Sequence, residues 1–337
     1  MKVLVVGGTG LISSNIVRQL VTQGHEPIIV NRGTRKLPDL DVETIVVDKS
    51  DREEFGKKME GRSFDAVIDM ITFNRHDVET TIETFADKTN HIVVCSTVAA
   101  YQRPYNTIPV REEAEHLRDE ESFGYGFHKA EMERAAQAAW QERNIPITII
   151  RPSLTFGVGA ANMGTLRQNV GIVSRIRQGK PLVVHGDGVH SWSFSFAPDV
   201  ARAFVGVLGK RGSFGEAYHA TSEERTVWAD LYLTFGRLVG QEPELVHIPS
   251  KYLMEAAPDA CAHLYFEKSY DGLFSNDKLR SVLPNFEAEI TLEQGLAEIL
   301  EWWDRSGAEV DPTKDRIEDA LVAVTQEMRD RLPKAFE

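Results

Sequence analysis

A doubly wound α/β fold follows from three features of this 337-residue sequence. Short β-branched runs alternate with amphipathic stretches through the first half, a glycine-rich turn joins the first run to the first helix, and the rhythm changes after Arg151-Pro152. The runs are Lys2–Val6, Pro27–Val30, Thr44–Val47, Ala66–Met70, His91–Cys95 and Ile147–Ile150, with helices predicted over Leu11–Gln23 and Gly126–Arg143. Near-continuous apolar strands separated by helices need burial on both faces, which a parallel sheet with right-handed crossovers provides. Residues 1–155 read as this sheet domain. Residues 156–305, rich in turns such as Gly157–Gly164 and His185-Gly186-Asp187-Gly188, read mainly as a smaller, mixed C-terminal part, with some chain returning to the sheet. Residues 306–337 read as a helical extension, with apolar periodicity in Ile317–Met328 that suits packing or an oligomer contact.

Composition excludes several classes. The chain is 42% hydrophobic, enough for a sizeable core, and its 38 Lys+Arg against 51 Asp+Glu give a net charge of −13. That charge argues against nucleic acid as a partner, because a polyanion needs a clustered basic face. A local basic pocket for a small anion remains compatible with it. Two distant cysteines, Cys95 and Cys261, make no disulfide framework, and apolar runs fall far short of the ~20 residues that span a bilayer. The N-terminal apolar stretch breaks at once into Gly-Gly-Thr-Gly rather than a signal-peptide core. These readings predict a cytoplasmic protein with no membrane partner. His185, His190 and His219 lack the paired spacing of zinc ligands, so no metal is expected.

Val3–Val6 runs directly into Gly7-Gly8-Thr9-Gly10-Leu11-Ile12-Ser13, which opens the first helix. A pyrophosphate needs bare backbone nitrogens at a helix N-terminus, where the dipole favours negative charge. Gly7 permits the tight turn, and Gly10 lets a phosphate approach the amides of Leu11 and Ile12. Ser13 stands where a third glycine is often found. A strand, a glycine turn and a helix in this order predict a dinucleotide-binding, Rossmann-type domain. The second strand ends at Asn31-Arg32, with Arg35 and Lys36 following. An acidic residue there would bind the ribose 2′-hydroxyl of NAD; a neutral one followed by a guanidinium suits a 2′-phosphate. The reading favours NADP(H) and leaves NAD(H) open. Asp48, after the third strand, is a candidate for the adenine amino group and equally a turn carboxylate. Met70, after the fourth, is a candidate cofactor neighbour.

Tyr125 and Lys129 stand four apart on one helical face, and the fifth strand ends in Cys95-Ser96-Thr97. All lie at the sheet's carboxyl edge, where such folds bind ligands.

Gly7-x-x-Gly10, Ser96-Thr97, Tyr125-x-x-x-Lys129, Arg151-Pro152 with Phe156-Gly157, Gly186-Asp187-Gly188, Pro198-Asp199-Val200-Ala201 and Leu292–Trp303 resemble the extended short-chain dehydrogenase/reductase family over roughly residues 1–305. This is the group of nucleotide-sugar epimerases, dehydratases and reductases. The resemblance implies Tyr125 as general acid/base, its phenol (ordinarily near ~10) favoured as phenolate by Lys129 and by the nicotinamide's charge. It implies that Lys129 also holds the nicotinamide ribose. It implies Thr97, four residues before Tyr101, as the hydroxyl on the substrate oxygen, with Ser96 as a weaker substrate contact. A small-molecule, sugar-like and nucleotide-linked substrate is expected, as is the homodimer usual in the family.

Departures narrow the substrate. Family dehydratases carry Asp-Glu after the catalytic threonine; here Val98 and Ala99 stand there, which argues against dehydration. Trp192 replaces the arginine that usually grips a diphosphate, beside His190, and both are candidate substrate contacts. Trp192 reads equally as a core aromatic. Arg167, Arg175 and Arg177, on a predicted helix, are the candidate substitutes. The fourth strand ends Asp69-Met70-Ile71-Thr72 rather than His-x-Ala-Ala. The departures resemble a divergent branch that includes chloroplast stem-loop-binding proteins, which supplies the alternative of an RNA-binding or cofactor-sensing relative.

Overall fold

The computed structural model describes residues 1–37 and 39–337. Its elements in chain order begin with β1 (Lys2–Val6), α1 (Leu11–Thr22), β2 (Glu26–Asn31), β3 (Glu43–Val46), α2 (Arg52–Lys58), β4 (Ala66–Asp69), α3 (Arg75–Phe85) and β5 (Ile92–Cys95). They continue with α4 (Gly124–Arg143), β6 (Ile147–Pro152), β7 (Leu154–Phe156), α5 (Val170–Arg177), β8 (Leu182–His185), β9 (Phe194–Phe196), α6 (Ala197–Gly206) and β10 (Ala217–Ala220). The last are α7 (Trp228–Val239), β11 (Leu245–Ile248), α8 (Ser250–Ala256), α9 (Pro258–His263), α10 (Asp277–Arg280), α11 (Leu292–Ser306) and α12 (Pro312–Arg331). The chain divides into two compact units. The first comprises Met1–Thr155, Ser195–Glu223 and Phe274–Glu289; the second comprises Phe156–Phe194, Glu224–Leu273 and Ile290–Glu337.

In the first unit seven strands among the described residues form one sheet in the order β10-β6-β5-β4-β1-β2-β3, every pairing parallel. Alternation along the strands fills two cores. Leu4, Val6, Ile28, Val30, Val67 and Val94 pack with Phe55, Phe85 and Met132 from α2, α3 and α4. Val3, Val5, Ile29, Ile68, Val93 and Ile150 pack with Ile16, Leu20, Val200 and Phe204 from α1 and α6. The seventh strand, β10, is supplied by chain well beyond residue 155. Two boundaries shift for local reasons. β4 stops at Asp69, whose carboxylate turns to accept the Ile71 amide at 2.9 Å. Helix α4 starts at Gly124, two residues earlier than its apolar pattern suggests, which puts Tyr125 inside its first turn.

The second unit pairs β8 with β11 in parallel and holds α5, α7, α11 and α12. The C-terminal helix α12 packs Leu321 and Val322 against the cluster of Val183, Ile248 and Leu264, and is pinned further by charge. Buried Glu318 accepts the Val183 amide at 2.8 Å and the Gln168 amide group at 2.9 Å. Arg175 meets Asp315 at 2.6 Å and Asp319 at 2.8 Å. Both cysteines are free and buried, and no helix among the described residues is long and apolar enough to cross a membrane.

Candidate active site

Two glycines of the first turn leave no room for a side chain. Gly7 has φ +81 and donates its amide to Val30 O at 2.8 Å; a Cβ there would meet Ile71 Cγ2 at 2.8 Å. A Cβ on Gly8 would meet Ile29 Cγ2 at 2.6 Å. Ser13 closes the turn, its hydroxyl donating to Gly7 O at 2.6 Å and accepting the Gly10 amide at 2.8 Å. The Gly10 amide is therefore engaged by Ser13. The amides of Leu11 and Ile12, which open α1 with no carbonyl one turn behind them in helical register, are the ones presented to an anion. Glycines without room for a Cβ below a helix N-terminus fit a dinucleotide's pyrophosphate.

At the end of β2, Asn31 Oδ1 accepts the Gly33 amide at 2.7 Å, and Arg32 is exposed. Exposed Asp48 accepts both the amide and the hydroxyl of Ser50, at 3.0 and 2.8 Å. Those bonds, with the Arg32 charge, hold its carboxyl below the usual range. It is a turn carboxylate. Half-buried Met70 donates its amide to Val6 O at 3.0 Å. The unusual residue beside it, Asp69, is fully buried. Its carboxylate takes Lys49 Nζ and Thr81 Oγ1, each at 2.5 Å.

Three contacts gather the residues after β5. Thr97 caps the single 3-10 turn Val98–Ala100 by accepting the Ala99 amide at 3.2 Å, which leaves its hydroxyl proton to donate elsewhere. Gly126, next to Tyr125, packs on the same turn: a Cβ there would lie 2.4 Å from Ala99 O. Lys129 is 2% exposed and donates to the carbonyls of Thr72 and Cys95, both at 2.7 Å. Burial lowers its pKa, and the charges of Cys95, Glu133, Asp69 and Asp77 oppose that. Two of its three N–H donors are used. Tyr125 remains 47% exposed, its ring edge-on to Phe123 with centroids 6.1 Å apart.

Other expected contacts point elsewhere. Ser96 donates its hydroxyl to Glu133, buried on α4, and so does not face a substrate. Glu133 pairs with Arg151, whose Nη1 donates to Tyr101 Oη at 2.7 Å. Tyr101 in turn meets His219 Nε2 at 2.7 Å, and His219 Nδ1 lies 3.0 Å from Ser275 O. A histidine donating through Nδ1 accepts through Nε2, so the Tyr101 hydroxyl is the donor. Burial pushes the Tyr101 phenol far up and the His219 imidazole down to about 3. This chain escapes sequence reading, because Glu133 in an alanine-rich helix looks like a solvated carboxylate; only the Arg151-Pro152 motif hints at it.

Trp192 belongs to the second unit and is 0% exposed, its ring 5.4 Å from that of Trp228. It is a core aromatic, too buried to stack on a substrate. His190, in the same unit, is half-buried, its carbonyl accepting the Trp228 amide at 3.2 Å. Of the three arginines, Arg175 is consumed by α12 and Arg177 by Asp304 at 2.9 Å. Arg167 precedes α5 rather than lying on it, and is exposed.

A parallel sheet with a glycine turn at one strand end and a tyrosine–lysine helix at another is the frame of a dinucleotide-dependent enzyme. The chain belongs to the NAD dependent epimerase/dehydratase family, which it matches over residues 3–220. It is similar to 2'-dehydrokanamycin reductase of Streptomyces kanamyceticus, 26% identical over 98% of this chain and 91% of that protein. It is also similar to the chloroplast stem-loop binding protein of 41 kDa b from Arabidopsis thaliana, 25% identical over 74% of this chain and 66% of that one. Among solved structures, dTDP-glucose 4,6-dehydratase from Bacillus anthracis in complex with NAD superposes with a TM-score of 0.72 at 19% identity, over 90% of this chain and 97% of that one.

Proposed function

We propose that the protein is an NAD(P)-dependent epimerase or ketoreductase that acts on a secondary alcohol or ketone of a sugar-like, nucleotide-linked substrate, with Tyr125 as general acid/base. The observation that carries this reading is the convergence at the end of β5, where Lys129 holds the Cys95 carbonyl and Gly126 seats the first turn of α4 against Ala99. A bound nicotinamide supplies or accepts the hydride. The Leu11 and Ile12 amides hold the pyrophosphate, and the remaining N–H of Lys129 holds the ribose. Thr97 donates its free hydroxyl proton to the substrate oxygen, and Tyr125, exposed on the first turn of α4, gives or takes the proton at that oxygen.

Relatives in this family include dehydratases, so homology leaves dehydration open. The local chemistry opposes it, because Val98 and Ala99 are fully buried and bring no carboxylate to the turn after Thr97. Arg32, exposed beside neutral Asn31, supports a preference for NADP(H).

The test is a survey of nucleotide-linked and free keto sugars with each cofactor, read by reduced-nicotinamide absorbance and by product stereochemistry. Turnover with either cofactor supports the reading. Saturable binding of neither cofactor defeats it. Cofactor retained through purification marks an epimerase, and exchangeable cofactor a reductase.

A further inference from the structure

Asp69 stands where the His-x-Ala-Ala pattern has its histidine, at the carboxyl end of β4. β4 lies between β1 and β5, and Asp69 pairs with Val6 on one side and Val94 on the other, one residue before Gly7 and Cys95. The residue is 0% exposed. One carboxylate oxygen is clamped by Lys49 Nζ and Thr81 Oγ1, each at 2.5 Å, and the other accepts the Ile71 amide at 2.9 Å. An aspartate that takes the amide two residues on turns the chain out of its strand.

The turn so made touches both parts of the site. Ile71 Cγ2 is the atom that a Cβ on Gly7 would meet at 2.8 Å. Thr72, fully buried, gives its carbonyl to Lys129 Nζ at 2.7 Å and its hydroxyl to Cys95 O, the other Lys129 acceptor, at 3.3 Å. The Phe73 ring centre lies 5.1 Å from the same nitrogen. Cys95 O belongs to β5 and is aimed by the sheet, whereas Thr72 stands outside β4, so the direction of its carbonyl follows from the turn. Lys49 is 5% exposed. Burying it with Asp69 costs roughly what their attraction returns, so stability alone is a weak reason for the pair. Burial lowers the Lys129 pKa, and Asp69 is among the charges, with Cys95, Glu133 and Asp77, that oppose this.

We propose that Asp69 is a positioning residue for Lys129. Clamped by Lys49 and Thr81, its carboxylate fixes the turn through the Ile71 amide, and the turn aims the Thr72 carbonyl that holds the Lys129 ammonium toward the nicotinamide ribose. This rests on the function proposed above and adds a residue that acts through Lys129 without touching substrate or cofactor.

The experiment is calorimetric titration of the full chain with NAD+ against ADP, and with NADP+ against 2′-phospho-ADP, pairs that differ only by the nicotinamide riboside. Replacing Lys49 by Met together with Asp69→Leu removes both charges and the acceptor without stranding either charge. The dinucleotide is expected to bind about tenfold or more weakly, as for a lost charge-assisted hydrogen bond, with the matched nucleotide unchanged. Asp69→Asn in the same Lys49→Met background keeps an acceptor for Ile71 and should restore most of the affinity. The loss should vanish when Lys129→Met is already present, because the two residues then act as one unit. Thr81→Val removes a single clamp and decides the matter should the double variant fail to fold; its expected loss is about threefold, on the dinucleotide alone. Unchanged dinucleotide binding, equal losses for dinucleotide and nucleotide, no restoration by asparagine, or a full loss that persists beside Lys129→Met overturns the proposal. Any of these in a protein whose wild type binds the dinucleotide sinks this inference alone, whereas a wild type that binds neither dinucleotide sinks the proposed function.

Discussion

Gly126 stands so close to Ala99 that a single added carbon would lie 2.4 Å from the Ala99 carbonyl oxygen. A glycine inside a helix costs roughly 0.5–1 kcal/mol relative to alanine, so its presence one residue after Tyr125 reflects this approach. Arg118 Nε donates to the same oxygen at 3.2 Å, which fixes the turn from the other side. Gly126→Ala is expected to lower stability by about 1–3 kcal/mol, the usual cost of overpacking, and to depress turnover by displacing the first turn of α4, which carries Tyr125. Urea unfolding and steady-state rates on one preparation check both; an alanine tolerated in both assays would contradict the packing.

The Glu133–Arg151 pair is buried on both sides and also holds Ser96 and Tyr101. Glu133→Gln strands a guanidinium in the interior, where breaking one half of such a pair costs about 3–5 kcal/mol. Chemical denaturation should show that loss, and Ser96→Ala should cost far less, since it removes only one donor to the pair.

His91 gives a pH dependence whose sign is set by its partners. Its Nδ1 accepts the Gly209 amide at 3.1 Å, so the proton sits on Nε2, 2.8 Å from Thr148 Oγ1. Protonating Nδ1 would set its N–H against the Gly209 amide donor, and burial already holds this imidazole near 4. The unfolded chain, with an ordinary value near 6.5, binds the proton first. The contribution of His91 is therefore complete above pH ~6.5 and is lost as pH falls toward ~4, at roughly 1 kcal/mol per pH unit. The unfolding free energy of wild type should fall more steeply over that window than that of His91→Leu. Parallel slopes would refute the assignment.

Arg32 is solvent-exposed and makes no ion pair among the described residues. Arg32→Ala is expected to weaken NADP(H) by roughly tenfold or more while leaving NAD(H) nearly unchanged. Equal losses for both cofactors, in fluorescence titrations, would mean that the guanidinium does not read the 2′-phosphate.

Much of the first unit is legible in the sequence because its signals are local. Val3–Val6 into Gly7 shows a strand and a tight turn within a dozen residues, and the Tyr125–Lys129 spacing places two groups on one helical face. β10 is hidden, since Ala217–Ala220 is too short and too polar to read as a buried strand without β6 beside it. Partnerships across the chain are hidden for a related reason. Nothing near Asp69 announces Lys49 and Thr81, and nothing near Arg175 announces Glu318, because composition says how many charges exist and not which ones meet. From the sequence Trp192 reads equally as a substrate contact and a core aromatic; Trp228, thirty-six positions away, decides for the core.

The proposed chemistry requires the Tyr125 hydroxyl to move the substrate proton. Its most direct test is Tyr125→Phe, assayed by single-turnover hydride transfer with cofactor and substrate saturating. The phenol is half-exposed, so the variant should fold and bind cofactor as wild type does. The expected result is a rate lower by ~10²–10⁴ with cofactor affinity preserved. A rate within a few-fold of wild type would contradict the account.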